Sequence, residues 1–145
     1  AAKRNREIQW AVASIFDIPV GSGVANGVID IFAPIVPDEF RRVLKAGGFL
    51  IIAVPGEKHL LGLKEILYDS VYENEHIDTA YKGFSLISRI PVRSSIELTD
   101  PGLIAALLTM TPYYWKTPAA GKERLKQTAY LNTEIEFDFL VYRAV

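Results

Sequence analysis

The sequence predicts an α/β fold of the three-layer sandwich type, from two features of its hydrophobic pattern. The first half alternates short apolar runs with helix-forming stretches. Within it, residues 49–54 (FLIIAV) are continuously apolar, as strands buried on both faces of a parallel sheet are. The second half ends differently: Ile135, Phe137, Phe139 and Val141 alternate with Glu134, Glu136 and Asp138, which marks a strand with one wet face. At 145 residues the chain is long enough for one domain with its own core.

In chain order, residues 8–12 (IQWAV) form the first expected strand, and a turn through Pro19 and the following glycines leads to a second over residues 28–32 (VIDIF). Pro37, Asp38 and Glu39 open a helix, because proline suits the first helical position and two acids complement the positive end of the helix dipole. Phe40, Val43 and Leu44 supply its apolar stripe, and Lys45-Ala46-Gly47-Gly48 should end it with a cation and then glycine. After the 49–54 strand, Pro55-Gly56 turns the chain into a second helix expected over residues 60–72. Residues 82–93 and 133–143 read as strands. Between them, Thr99-Asp100-Pro101 starts an amphipathic helix reaching Met110, followed by the aromatic segment Thr111-Pro112-Tyr113-Tyr114-Trp115 and a polar helix.

Composition excludes several classes of function. Half the residues are hydrophobic and 23% are charged, a globular balance, and no apolar run reaches the length that crosses a bilayer. The opening AAKRNREIQW has neither an initiator Met nor a signal-peptide core and reads as the tail of a basic helix cut at a boundary, so the expected compartment is the cytoplasm. With no Cys, disulfides and thiolate metal sites are excluded, and His59 and His76 are too few for a closed zinc site. No metal is expected. A net charge of −1 gives no global basic footprint for nucleic acid. A local patch remains over residues 116–126, where Lys116, Lys122, Arg124 and Lys126 face only Glu123, although a solvated helix face has the same composition.

The stretch GSGVANG, residues 21–27, has the look of a nucleotide-binding loop. Such a loop follows a strand and opens a helix, so that its N–H groups and the helix dipole face phosphate. Here it leads into an apolar strand, and it is expected to be a turn. In open α/β sheets ligands gather beyond the carboxyl ends of the strands. Those ends are Ala13-Ser14-Ile15, Ala33-Pro34-Ile35 and Pro55-Gly56-Glu57-Lys58-His59. The last places His59 just before a helix, where it reads either as a ligand-facing imidazole or as a solvated helix-start residue.

VASIFDIPV (residues 12–20), VIDIFAP (28–34), EFRRVLKAGGFLIIAVPGEKHLLGLKEILY (39–68) and LLTMTPYYW (107–115) together resemble successive motifs of the S-adenosylmethionine-dependent 23S rRNA (guanine-N1)-methyltransferases. The LKAGG turn is shared across class I methyltransferases, whereas a PGxxHL motif with a downstream TPYxW-like segment is much narrower. The resemblance implies a class I methyltransferase, Rossmann-like sheet, S-adenosyl-L-methionine as cofactor and 23S rRNA as partner. Ala13 and Ser14 match the adenine-recognising position, where a hydroxyl accepts without the charge that many relatives supply; Asp17 could substitute or cap a turn. Phe32 and Ala33 fall where the family flanks the sulfonium and the incoming base, and His59 matches the cofactor-contacting His of PGxxHL. Thr111, Tyr113 and Trp115 match the segment that would hold the guanine between aromatic faces; core packing is the other reading of those aromatics. Guanine N1 carries a proton at neutral pH, so transfer needs a base or stabilisation of the developing O6 charge. Asp30 is a carboxylate on the right strand, though the family keeps no acid there.

The same resemblance places the glycine-rich methionine-binding loop, the ribose-binding acid and an N-terminal zinc module upstream of the AAKRN-like segment. The chain is therefore expected to be the C-terminal part of the catalytic domain, inactive alone, with a sheet lacking its first strands. That sheet should expose an apolar edge where residues 28–32 lie, and either close it internally or pair with a second copy. A small-molecule methyltransferase and a non-catalytic α/β interaction domain are the competing readings.

Overall fold

The computed structural model describes residues 3, 5, 7–71, 73–74 and 79–145. His76, Tyr72 and part of the basic opening segment lie outside the described residues, and the helix expected over residues 60–72 ends at Leu67, where Tyr68 turns extended. In chain order the elements are β1 (Ala25–Ile31), α1 (Pro37–Val43), β2 (Leu44–Pro55), α2 (Leu61–Leu67), β3 (Phe84–Leu98), α3 (Pro101–Thr109), α4 (Tyr113–Lys116), α5 (Ala119–Lys126) and β4 (Leu131–Ala144). The strands form one mixed sheet in the order β1-β2-β4-β3, so the fold is α/β as expected. β1 and β2 are parallel. β4 and β3 form the antiparallel C-terminal pair, with the Val145 N–H donating to the Gly83 carbonyl at 3.0 Å. Two compact units divide the chain: Ala1–Ala53 with Asp78–Arg89 and Phe139–Val145, and Val54–Ile77 with Ile90–Asp138.

In the first unit, α1 begins at Pro37 with Asp38 and Glu39 in its first turn, as the sequence requires. It ends at Val43, short of the glycines. The reason lies in the register between β1 and β2: Ala25 pairs with Leu44 and Gly27 with Phe49, so residues 45–48 bulge opposite Asn26 alone. Gly47 makes this possible with φ +73°, a left-handed conformation. LKAGG is thus a bulge at the mouth of a strand and not a helix terminus. β1 runs from Ala25 instead of residue 28, and Phe32 leaves it with a positive φ of 56°. Val28 and Asp30 turn toward the covered face, while Ile29 and Ile31 stay 67% and 61% exposed on the other. Phe40, Val43, Leu44, Leu50, Ile52, Leu140 and Tyr142 are among the buried residues of this unit.

The strand expected over residues 8–12 does not form: these residues are exposed and carry no ladder. β1 occupies the edge of the sheet and pairs only with β2. Alternating hydrophobicity without a neighbouring strand leaves backbone groups with no ladder partner, and water serves them better. Only the isolated Ser14–Asp17 bridge follows.

In the second unit, the side chain of Asp100 accepts from Gly102 N–H at 2.6 Å and caps α3, one residue after the expected Thr99 start. Leu60, Leu63, Leu67, Ile104, Leu108, Leu125 and Leu131 form one buried cluster that joins α2, α3, α5 and β4. Among the described residues no helix is long and apolar enough to cross a membrane.

Candidate functional site

The PGEKHL loop follows β2 and is sewn to β4. Gly56 N–H donates to the Glu136 carbonyl (2.9 Å), Lys58 N–H to the Glu136 carboxylate (3.1 Å), and Leu60 N–H to the Glu134 carbonyl (2.8 Å). A Cβ on Gly56 would stand 2.8 Å from the Glu136 Cβ, so only glycine lets the loop lie this close. Leu60 then takes a left-handed φ of 57° and starts α2. These constraints set His59. Its Nδ1 accepts the Glu136 backbone N–H at 3.2 Å, and its ring packs on Phe137 with centroids 4.5 Å apart. Burial first, and then the positive charge of Lys64, lower the His59 pKa; Glu136 opposes them. The imidazole is neutral, and because Nδ1 is an acceptor its proton sits on Nε2. His59 is therefore a donor of fixed orientation.

Beneath the loop lies a buried lysine. Lys64 on α2 donates to the Asn74 carboxamide oxygen at 2.7 Å and stands 5.5 Å from the Tyr113 ring centroid. Asn74 passes the contact on, its Nδ2 donating to the Gly56 carbonyl at 2.7 Å. Burial lowers the Lys64 pKa. Tyr113 also meets Tyr68 edge-on at 6.4 Å, so it packs inside this unit. Thr111 ends α3, its hydroxyl donating to the Leu108 carbonyl at 2.9 Å.

Trp115 behaves differently. It is 85% exposed and meets Tyr114 edge-on at 5.0 Å, while Lys122 stands 4.8 Å from the Tyr114 ring centroid. Arg124 is committed elsewhere: it donates to the Ile66 and Leu67 carbonyls at the end of α2 and pairs with Asp69. Lys126 pairs with Glu123.

The first unit holds the remaining candidates. Asp30 is 4% exposed; Oδ1 accepts the Ala33 N–H at 3.1 Å, and Oδ2 is buried with no hydrogen-bond partner among the described residues. Burial raises its pKa against the lowering pull of the Ala33 N–H. That one contact holds the Phe32-Ala33 turn in place. Ala13 and Ser14 line an open hollow of ≈ 420 Å³ together with Trp10, Ile15 and Ile18. The Ser14 hydroxyl accepts from Phe16 N–H at 3.2 Å. The hollow's far wall is clamped from α1: Glu39 accepts the Ile18 N–H at 2.7 Å, and Arg42 donates to the Ile18 and Val20 carbonyls, both at 2.9 Å. Arg42 and the Ile18 N–H hold the Glu39 pKa down to about 2.

Sequence reasoning missed Lys64, Glu136 and the Glu39–Arg42 pair. The last had a readable signal, since acid and base stand three apart on one helix face. The other two owe their place to partners distant in sequence, Glu136 to β4 lying beside β2 and Lys64 to Asn74 and Tyr113, which no local pattern encodes.

No protein-family model matches the chain. It is 31% identical over 146 residues to the Bacillus subtilis (strain 168) protein named "Putative 23S rRNA (guanine-N(1)-)-methyltransferase YxjB", covering 97% of this chain and 51% of that protein. It is 28% identical over 120 residues to the 23S rRNA (guanine(748)-N(1))-methyltransferase of Streptomyces fradiae, covering 79% and 42%. The chain spans about half the length of the curated relatives it matches. Among solved structures, the MccD protein superposes with a TM-score of 0.51 at 17% identity, over 99% of this chain and 72% of that one. The fold is of the class I methyltransferase type. By sequence the chain is homologous to the 23S rRNA (guanine-N1)-methyltransferases.

Proposed function

We propose that this chain, a homologue of the 23S rRNA (guanine-N1)-methyltransferases, forms the C-terminal part of a catalytic domain that methylates guanine N1 in 23S rRNA. One observation carries the reading: the relationship extends over 97% of the chain and includes the residues of the PGEKHL loop. S-adenosyl-L-methionine is the proposed cofactor and supplies an electrophilic methyl group. The residues suit it. The hollow at Ala13 and Ser14 has apolar walls and a hydroxyl acceptor, which matches an adenine with its amino group. His59 presents an Nε2–H donor suited to a carboxylate or ribose hydroxyl, held by Glu136 and Phe137. Phe32 and Ala33, locked by Asp30, flank the reacting group on the side of the base.

The guanine must lose its N1 proton. Asp30 is the proposed acceptor: it lies on β1 beside the Phe32-Ala33 turn, and burial raises its pKa, which makes the carboxylate a stronger base. Thr111, Tyr113 and Trp115 are the proposed substrate-binding segment. 23S rRNA is the proposed partner and the cytoplasm the proposed compartment. Pairing of two copies along β1 is a secondary expectation, supported by the exposed Ile29 and Ile31 at the edge of the sheet.

The test is methyl transfer from S-adenosyl-L-methionine to 23S rRNA transcripts by the complete catalytic domain of which this chain is the proposed C-terminal part, read as reverse-transcription stops, since an N1 methyl blocks Watson–Crick pairing. Asp30→Asn is expected to abolish the stop and His59→Ala to weaken it at least tenfold. Transfer to small molecules alone, with no stop on RNA, would overturn the reading.

A further inference from the structure

Lys116 and Lys122 have no carboxylate partner among the described residues, unlike Arg124 and Lys126 beside them. Lys116 follows Trp115 directly in the chain, and Trp115 is 85% exposed. Lys122 stands over the face of Tyr114, and Tyr114 meets Trp115 edge-on at 89°. Half-burying Tyr113 while baring Trp115 is not what core packing would do with adjacent aromatics. The arrangement combines an exposed π-surface with positive charge nearby, the chemistry that grips unpaired nucleotides without reading their sequence.

Resting on the methyltransferase reading above, we propose that Trp115, Tyr114, Lys116 and Lys122 form a grip for single-stranded RNA at the exposed end of the proposed substrate-binding segment. Trp115 stacks one unpaired base, and Lys116 and Lys122 neutralise the phosphates on either side of it. Tyr113, turned inward onto Tyr68 and Lys64, takes no part. The grip recognises unpaired RNA of any sequence; choice of the target guanine falls to other groups.

Trp10 and Trp115 are the two tryptophans, so a Trp10→Phe background makes fluorescence specific to Trp115. Titration with an unstructured RNA oligonucleotide is expected to quench that fluorescence, whereas the same sequence as a duplex quenches weakly. Trp115→Ala should weaken binding about 5- to 150-fold, from a stacking worth of roughly 1–3 kcal/mol per base. Replacing Lys116 and Lys122 together by Gln should weaken all sequences alike and lower the salt slope by about 1.4, two single-strand phosphate contacts at about 0.7 each. Trp115 and Lys116 are exposed and Lys122 rests on the half-buried Tyr114 ring, so the variants are expected to keep the parent's melting curve. No quenching, equal affinity for duplex, or full binding by Trp115→Ala would overturn the grip. So would capture of a protein on this face in place of RNA. Failure of the methyltransferase reading looks different: RNA binding by this chain would persist while the complete catalytic domain adds no methyl group to any transcript.

Discussion

The backbone N–H of Glu136 donates to Nδ1 of His59 at 3.2 Å, which gives the imidazole one tautomer and one orientation. An amide N–H cannot share that contact with a proton on Nδ1, so protonating His59 breaks it. Burial lowers the His59 pKa, so the folded state binds a proton less readily than the unfolded chain. The stability due to neutral His59 is thus complete above about pH 6.5 and is lost as pH falls from there through the folded value. Melting temperature measured across this window should decline with acid, and His59→Gln should flatten the decline. A slope unchanged by the substitution would show that other groups govern it.

Lys64 should be felt at His59. Its charge is the second cause that lowers the His59 pKa. Lys64→Met removes the charge and keeps the length of the chain, so the His59 pKa should rise. Imidazole proton shifts followed by NMR titration would measure this, and a fall would contradict the assignment of Lys64 as a buried cation.

Asp30 separates structure from chemistry. Asp30→Asn retains an oxygen for the Ala33 N–H and removes the penalty of a buried carboxylate, so it should melt no lower than the parent. Asp30→Ala abandons that N–H and should lose about 1–3 kcal/mol. Thermal unfolding of both variants at neutral pH checks the order. Lower stability for Asn than for the parent would mean the carboxylate is ionised and paired.

The Glu39 clamp gives a second acid transition of the same sign. Its pKa is depressed to about 2, so its contribution is present above the ordinary carboxylate range and fades as pH drops through that value. Glu39→Gln should remove that fading. It should also loosen residues 18–22, read as faster amide exchange at Ile18.

Gly56→Ala should be among the most disruptive small changes. The new methyl would meet Glu136 within contact distance on a strand that cannot retreat, a loss of about 1–3 kcal/mol. Calorimetric melting provides the value, and a neutral result would mean that β4 yields.

The α/β class, the parallel start, the antiparallel finish and the Pro37 helix were legible because each rests on local signals: hydrophobic period, caps and proline placement. Residues 8–12 show where that logic stops. Their apolar pattern is real, but a strand exists only if another chain segment offers a ladder. LKAGG misled in the opposite way, since Gly47 serves a strand bulge with the same left-handed conformation that ends helices. In the site, the carboxyl-end rule singled out His59 and the turn at Phe32. Nothing local could say that Glu136, 77 residues away, sets the His59 tautomer. Nor could adjacency in sequence tell that Tyr113 would turn inward and Trp115 outward.

Arg124 has a consequence beyond its own helix. By donating to the carbonyls of Ile66 and Leu67, it supplies from α5 the termination that α2 does not provide for itself. The end of α2 and the last turn of α5 are therefore fastened by one side chain, and replacing Arg124 would leave the final carbonyls of α2 without that donor.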